Sequence, residues 1–130
     1  MHEENTELIR GAYAAHARGD VAAVFKLLHP EVEVRQTELL PWGGSYRGHE
    51  GAREFFRRLA ENVEALPEPS EFVAAGDAVA VTGRLRGRAR ANGQTFELSI
   101  VHVWTLRDGL IARFEAYIDT PRMRSALGLD

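Results

Sequence analysis

Three side chains of this 130-residue sequence are of the types that transfer or share protons, namely His102, Glu38 and Tyr13. An imidazole titrates near neutral pH, so a histidine can serve as an acid, a base or a neutral hydrogen-bonding group. A carboxylate can act as a general base, and an apolar surround raises its pKa towards the useful range. A tyrosine hydroxyl can donate to a ligand oxygen. These three are the candidate catalytic residues, provided that the fold brings them together.

Composition argues against several other kinds of chemistry. The chain has no cysteine, which excludes thiolate catalysis and a disulfide framework. Its five histidines show no paired metal spacing, and we expect neither a metal nor a cofactor. The formal net charge of −3 gives no global attraction to nucleic acid or anionic lipid. No apolar run approaches the roughly 18 residues of a membrane span. We therefore expect a cytoplasmic protein with no nucleic-acid or membrane partner.

The first half of the chain, which must position Tyr13 and Glu38, is patterned mainly as helix. Apolar residues at helical spacing predict helices at 5–17, 21–28 and 49–66. Between the second and third helices, "EVEVRQTEL" (31–39) alternates as a half-buried strand does. The Pro- and Gly-containing stretch "LPWGGSYRG" (40–48) predicts a loop.

The second half, which must position His102, changes to a period of two. Its strands are "EFVAAG", "DAVAVTGRLRGRAR", "QTFELSIVHVWTLR" and "LIARFEAYI", separated by turn signals that include "NG" and "DG". "DTPRMRSALG" predicts a short last helix, capped by Asp119 or Thr120. Helices followed by hairpin-linked strands predict a single α+β domain over residues 1–130. We expect a curved antiparallel sheet, wrapped by three N-terminal helices, that forms a cone with an internal pocket.

Strand alternation predicts which side chains face the cone. His102 shares a face with Ile100 and Trp104, and this bulky apolar face should lie towards the helices. On the last strand, Phe114 and Ala116 share the inward face.

The first strand and the helices add further residues to this predicted lining. Gln36 continues the inward face of the first strand, and Glu38 follows it if the strand runs on. Tyr13 and His16 lie on the inner face of the first helix, and Phe56 on that of the third. The predicted ligand pocket is lined by Gln36, Trp42, Tyr46, Trp104, Phe114, Ala116 and Phe56, with Trp42 and Tyr46 as a rim or lid.

Each candidate also has a purely structural interpretation. His102 is equally explained as a core histidine with an internal hydrogen bond, and Tyr13 as an aromatic contact of an amphipathic helix. Glu38 can be a solvated loop residue before Pro41. A buried polar group without a partner costs about 1–3 kcal/mol, so His102 should have a side chain, a water or a ligand beside it.

The segments "LIRGAYAAHARGDVAAVFKLLHPEVEV", "PWGGSYRGHEGAREFF" and "HVWTLRDGLIARFEAYID" resemble the SnoaL-like, ketosteroid isomerase-related branch of the nuclear transport factor 2-like superfamily. The resemblance implies the cone fold and a small-molecule pocket. It also implies one of several activities, because the superfamily holds isomerases, polyketide cyclases, dehydratases, epoxide hydrolases and non-catalytic binders. A homodimer through the outer face of the sheet is implied too, where Val101, Val103 and Tyr117 form a moderately apolar patch.

The acidic positions of the known enzymes are not retained. The resemblance places Gln36 where ketosteroid isomerases hold a general-base aspartate, and Ala116 where SnoaL-type cyclases hold an acid. It places His102 at the isomerases' oxyanion-stabilising aspartate, where a neutral imidazole can donate a hydrogen bond. Two hypotheses follow. One is a cofactor-free enzyme that acts by acid–base chemistry on a small apolar carbonyl-bearing or polyketide-like molecule. The alternative is a non-catalytic binder of such a molecule.

Overall fold

The computed structural model describes residues 2–129, with side chains from residue 3 onwards. Six strands form one curved, unclosed sheet in the order β2-β1-β6-β5-β4-β3. In chain order the elements are α1 (His2–Ala17), α2 (Val21–Lys26), β1 (Leu28–Gln36), β2 (Gly44–Arg47), α3 (Gly48–Asn62), β3 (Val63–Ala75), β4 (Ala78–Ala89), β5 (Thr95–Arg107), β6 (Leu110–Ile118) and α4 (Thr120–Ala126). The α+β class predicted from the sequence is confirmed.

The sheet departs from the prediction in one pairing direction. The pairs β3–β4, β4–β5, β5–β6 and β1–β2 are antiparallel, whereas β1 and β6 are parallel. The chain reaches β6 from β1 only after the whole meander, so no tight hairpin turn dictates their relative direction. Turn signals therefore predicted the pairs β3–β4, β4–β5 and β5–β6, and could not predict this one.

The third helix is shorter than its apolar spacing suggested. It ends at Asn62, and the following residues begin the long edge strand β3. Leu66, the last residue of the predicted helix, is instead 44% exposed on that strand. Pro67 and Pro69, which directly follow the predicted helix, lie within β3, because an edge strand tolerates residues that cannot donate to a ladder.

The first strand ends earlier than predicted, and this changes the site. β1 stops at Gln36, and the chain then turns through hydrogen bonds from Leu40 N to Thr37 O (3.3 Å) and from Gly43 N to Leu40 O (2.9 Å). The segment expected to be only a loop contains the short strand β2, which pairs with β1. Glu38 therefore lies exposed in a turn and not on an inward strand face.

The core lies between the concave face of the sheet and helices α1 and α3. Along β5, burial alternates as the sequence predicted, with Phe96, Leu98, Ile100, His102, Trp104 and Leu106 all buried. The predicted inward position of His102 is thus confirmed. Asp119 caps α4, its side chain accepting a hydrogen bond from Arg122 N. No helix in residues 2–129 is long and apolar enough to cross a membrane.

Candidate functional site

His102 is hydrogen-bonded to the first helix. Its Nδ1 lies 2.5 Å from the hydroxyl oxygen of Tyr13, and that oxygen accepts a hydrogen bond from Trp104 Nε1 at 3.1 Å. Residues 102 and 104 reach the same point because side chains two apart on a strand share a face. Tyr13 reaches it from the buried face of α1. The structure therefore brings together two of the three predicted catalytic residues.

Aromatic rings surround this pair. The centroid of the His102 ring lies 5.0 Å from that of Phe114, and 5.9 Å from that of Tyr13, with which it is nearly parallel. Trp104 and Phe114 are closer still, with centroids 4.3 Å apart. Phe55 of α3 completes the far side, 6.4 Å from Phe114. These contacts surround His102 with aromatic rings.

The residues around His102 nevertheless retain some accessible surface. His102 and Tyr13 are each 9% exposed, Trp104 is 8% exposed, and Phe114 and Ala116 are 7% exposed. Val81, which pairs with His102 from the neighbouring strand, is fully buried. Ala116 pairs with His102 on the other side, so these partly accessible residues are neighbours.

The second ring nitrogen of His102 faces that accessible space. Nε2 makes no hydrogen bond to any residue of 2–129. Among those residues, only Arg113 Nε is a side-chain nitrogen or oxygen that is both fully shielded from solvent and without a hydrogen-bond partner. His102 Nε2 also lacks a partner, so it is not fully shielded. A water molecule or a ligand atom can therefore reach it.

Burial keeps both members of the pair neutral. Desolvation lowers the pKa of His102 to about 4, and the nearby charge of His16 adds to the effect. Burial raises the pKa of the Tyr13 hydroxyl well above its usual value, against the opposing hydrogen bond from Trp104. At pH 7 the site therefore offers a neutral imidazole and a neutral phenol. An imidazole with so low a pKa is a weak general base, whereas its hydrogen-bonding capacity is intact.

Glu38, the third predicted catalytic residue, is not part of this arrangement. It lies in the exposed turn after β1, and the expectation that it follows Gln36 inward is wrong because the strand ends first. Asp119, the nearest acid beyond β6, is occupied as the cap of α4. Within residues 2–129, no group of three or more acidic or histidine side chains could hold a metal ion.

Trp42 and Tyr46 do not form a rim or lid. Trp42 is only 1% exposed, and its Nε1 donates to Gln36 Oε1 at 2.8 Å. The Tyr46 hydroxyl donates to the carbonyl oxygen of Trp42 at 2.9 Å. These bonds brace the turn between β1 and β2, which places Trp42 in the core.

The remaining predicted residues lie nearer the surface. Phe56 is half-buried, with its ring centroid 6.5 Å from that of the exposed His16, which the sequence had placed inward. Gln36 and Ala116 line a cleft of about 530 Å³ at the ends of β1 and β6, and Glu38 lies on its outer wall. Ala116 thus borders both this cleft and the His102 site.

Phe72 of β3 is a site residue that sequence reasoning missed. Its ring meets that of Tyr13 edge-on at 5.9 Å, and the Arg10 guanidinium lies 4.2 Å above it. Phe72 lies in the predicted strand "EFVAAG", to which no inward face was assigned, and alternation along that strand was the signal that could have identified it.

Comparisons with known proteins agree with this fold. A family model described as a SnoaL-like domain matches residues 9–114, a range that contains Tyr13, His102, Trp104 and Phe114. An NTF2-like protein of unknown function from Burkholderia pseudomallei K96243 is 30% identical, with a TM-score of 0.89 over 95% of this chain and 97% of that one. An NTF2-like protein from Burkholderia thailandensis E264 is 33% identical, with a TM-score of 0.87 over 95% and 96%.

A third solved structure carries a ligand in its description. TerC, co-crystallised with polyporic acid, is 31% identical, with a TM-score of 0.88 over 96% of this chain and 98% of that one. No functionally curated protein matches the sequence.

Proposed function

Because the chain belongs to the SnoaL-like domain family, we propose that it binds a small, mostly apolar molecule against the His102 site. One observation carries the proposal: His102 Nε2 has no hydrogen-bond partner in residues 2–129 and yet lies in a site made of aromatic rings. A nearly buried polar atom without a partner is costly, so this nitrogen needs a water or a ligand atom. Apolar walls with one convergent polar group are typical of small-molecule sites.

The lining indicates the class of ligand. The rings of Trp104 and Phe114 pack against each other with centroids 4.3 Å apart, and His102 offers one polar contact beside this apolar pair. A small carbonyl-bearing or polyketide-like molecule with an aromatic or conjugated body matches both features. TerC was crystallised with polyporic acid, so that compound is a natural first probe for this chain.

A cofactor-free enzyme is the second candidate function. The Tyr13 hydroxyl lies 2.5 Å from His102 Nδ1 and occupies that nitrogen, which leaves Nε2 to polarise a ligand oxygen. The weak basicity of His102 and the exposure of Glu38 favour binding over catalysis. Mass spectrometry of the ligand after long incubation separates the two, because a binder returns it unchanged. An enzyme converts it, and Tyr13→Phe would slow the conversion.

Calorimetric titration tests the binding proposal. Polyporic acid and a panel of simple aromatic ketones are titrated into wild-type protein, His102→Ala and, as a matched control, His29→Ala, a histidine at the protein surface. Loss of one hydrogen bond and its ring contact should weaken binding about tenfold in His102→Ala, since 1.4 kcal/mol is a factor of ten. His29→Ala should bind as the wild type does. The proposal fails if no compound binds at millimolar concentration, or if His102→Ala binds equally well.

We also propose that the chain forms a homodimer through the outer face of the sheet. Val101 is 39% exposed and Tyr117 55% exposed on this face, and apolar exposure of this kind is common at interfaces. Analytical ultracentrifugation at micromolar concentration should give twice the chain mass. Val101→Arg should give a monomer, whereas Val21→Arg, on the 64% exposed valine of α2, should leave the dimer intact. A monomeric wild type would refute the proposal.

A further inference from the structure

The hydrogen bonds among Trp104, Tyr13 and His102 have a fixed order of donors and acceptors. An indole N–H can only donate, so Trp104 Nε1, 3.1 Å away, occupies one lone pair of the Tyr13 oxygen. The hydroxyl is left with a single proton to give. Its nearest acceptor is His102 Nδ1, at 2.5 Å.

The alternative arrangement of protons is unfavourable. If His102 carried its proton on Nδ1, the Tyr13 oxygen would accept from both sides. Its own proton would then have no acceptor in residues 2–129, since no other contact of that oxygen satisfies hydrogen-bond geometry. A buried unsatisfied donor shifts an equilibrium by a factor of roughly five or more. The neutral ring should therefore carry its proton on Nε2, the nitrogen that faces the accessible space.

Packing holds the Tyr13 hydroxyl in this arrangement. The Tyr13 ring is nearly parallel to that of His102, with 5° between the planes, and nearly perpendicular to that of Trp104, at 79°. Phe72 closes the remaining side at 85°. The ring therefore has little freedom to carry the hydroxyl to another partner.

We propose that Trp104 is a positioning residue that orients the Tyr13 hydroxyl, so that His102 presents Nε2–H and the site selects ligands with a hydrogen-bond acceptor. A ketone, quinone or other carbonyl oxygen meets this donor. A ligand that offers only an N–H proton at that point meets a second proton and is rejected. This inference rests on the proposed function, because it names the chemistry of the ligand that the same site takes.

Nitrogen-15 NMR of the ligand-free protein at pH 7 tests the proton arrangement. Long-range couplings within the imidazole ring distinguish a protonated nitrogen from an unprotonated one. The wild type should show Nε2 protonated and Nδ1 unprotonated in at least about four-fifths of molecules. This fraction corresponds to the ratio of roughly five between the two tautomers that the buried Tyr13 proton imposes. Wild-type protein with the proton mainly on Nδ1 would overturn the inference, and this measurement does not depend on any variant.

Variants test the role of Trp104 itself. Trp104→Phe keeps an aromatic ring and removes the donor, so both tautomers of His102 should become populated. The matched control Trp42→Phe removes the other indole, which donates to Gln36, and should leave His102 on Nε2–H. If Trp104→Phe does not fold, Tyr13→Phe replaces it. In that variant too, both tautomers of His102 should become populated. An unchanged tautomer in the variants that fold would overturn the inference.

The relative affinities of two probe ligands provide an independent test. Acetophenone, which only accepts, should bind the wild type at least fivefold more tightly than indole, whose N–H only donates, and Trp104→Phe should narrow this ratio. If both tautomers of His102 become populated in Trp104→Phe and no probe binds, the proposed function fails while the assignment of Trp104 stands. If probes bind at His102 and the proton is on Nδ1, this inference fails and the binding site stands.

Discussion

Replacing Tyr13 by phenylalanine is the most informative perturbation of stability. The change removes one oxygen atom and keeps the ring, so the contacts with Phe72 and Trp104 persist. It breaks two hydrogen bonds at once, one from Trp104 Nε1 and one to His102 Nδ1. Both of the abandoned groups are buried, and the new ring offers them no replacement partner.

The expected cost follows from those two orphaned groups. Each buried donor or acceptor left without a partner costs about 1–3 kcal/mol, and the gain from removing a buried hydroxyl offsets part of the sum. We expect the free energy of unfolding to fall by roughly 2–4 kcal/mol. With an unfolding entropy of about 2.1 cal/mol/K per residue, the melting temperature should fall by roughly 7–15 °C.

Urea unfolding and calorimetry measure this loss, with Tyr117→Phe as the matched control. The Tyr117 hydroxyl donates to Glu115 on the exposed face, so its removal should change the free energy of unfolding by less than about 0.5 kcal/mol. A loss for Tyr13→Phe no greater than that of the control would refute the reasoning. It would mean that the Trp104–Tyr13–His102 contacts do not persist in solution.

Three further predictions concern pH, backbone space and capping. The pKa of His102 falls from 6.5 to about 4 on folding, so the unfolded chain takes up a proton first as the pH drops. In urea unfolding, the contribution of His102 to the free energy of unfolding should be constant above pH 6.5 and reduced by up to about 3 kcal/mol at pH 4. His102→Gln should lack this pH-dependent loss. Gly83→Ala would place a Cβ 2.2 Å from a backbone oxygen of β3 and should lower the melting temperature, whereas Gly11→Ala, in open space on α1, should raise it slightly. Asp119→Ala removes the cap of α4 and should cost about 1 kcal/mol in the same urea assay.

The sequence predicted the side of the sheet on which His102 lies, because alternation along β5 is a local property. It contained too little to predict the parallel pairing of β1 and β6, which depends on how the whole meander curls. The end of the third helix was wrong for a related reason. Val63 and Leu66 fit a helical period, and only the pairing with β4 makes them part of a strand.

The inward positions of some residues of the candidate site could be predicted from the sequence, but the hydrogen bonds between them could not. Tyr13 and Trp104 were both expected to face inward, from a helical and a strand period respectively. The hydrogen bond between them depends on the distance between α1 and β5, which no local pattern encodes. Glu38 shows the converse, since a shift of three residues in the end of a strand moved a candidate base into solvent.

The most direct test of the central claim follows the imidazole nitrogens of His102 while polyporic acid and acetophenone are titrated into nitrogen-15-labelled protein. If His102 contacts the ligand, the Nε2 signal should shift in a saturable manner, together with the backbone amides of Tyr13 and Trp104. Saturable shifts confined to the cleft around Glu38, or to the groove between Arg84 and Arg122, would contradict the account. So would the absence of any saturable shift at millimolar concentrations of both probes.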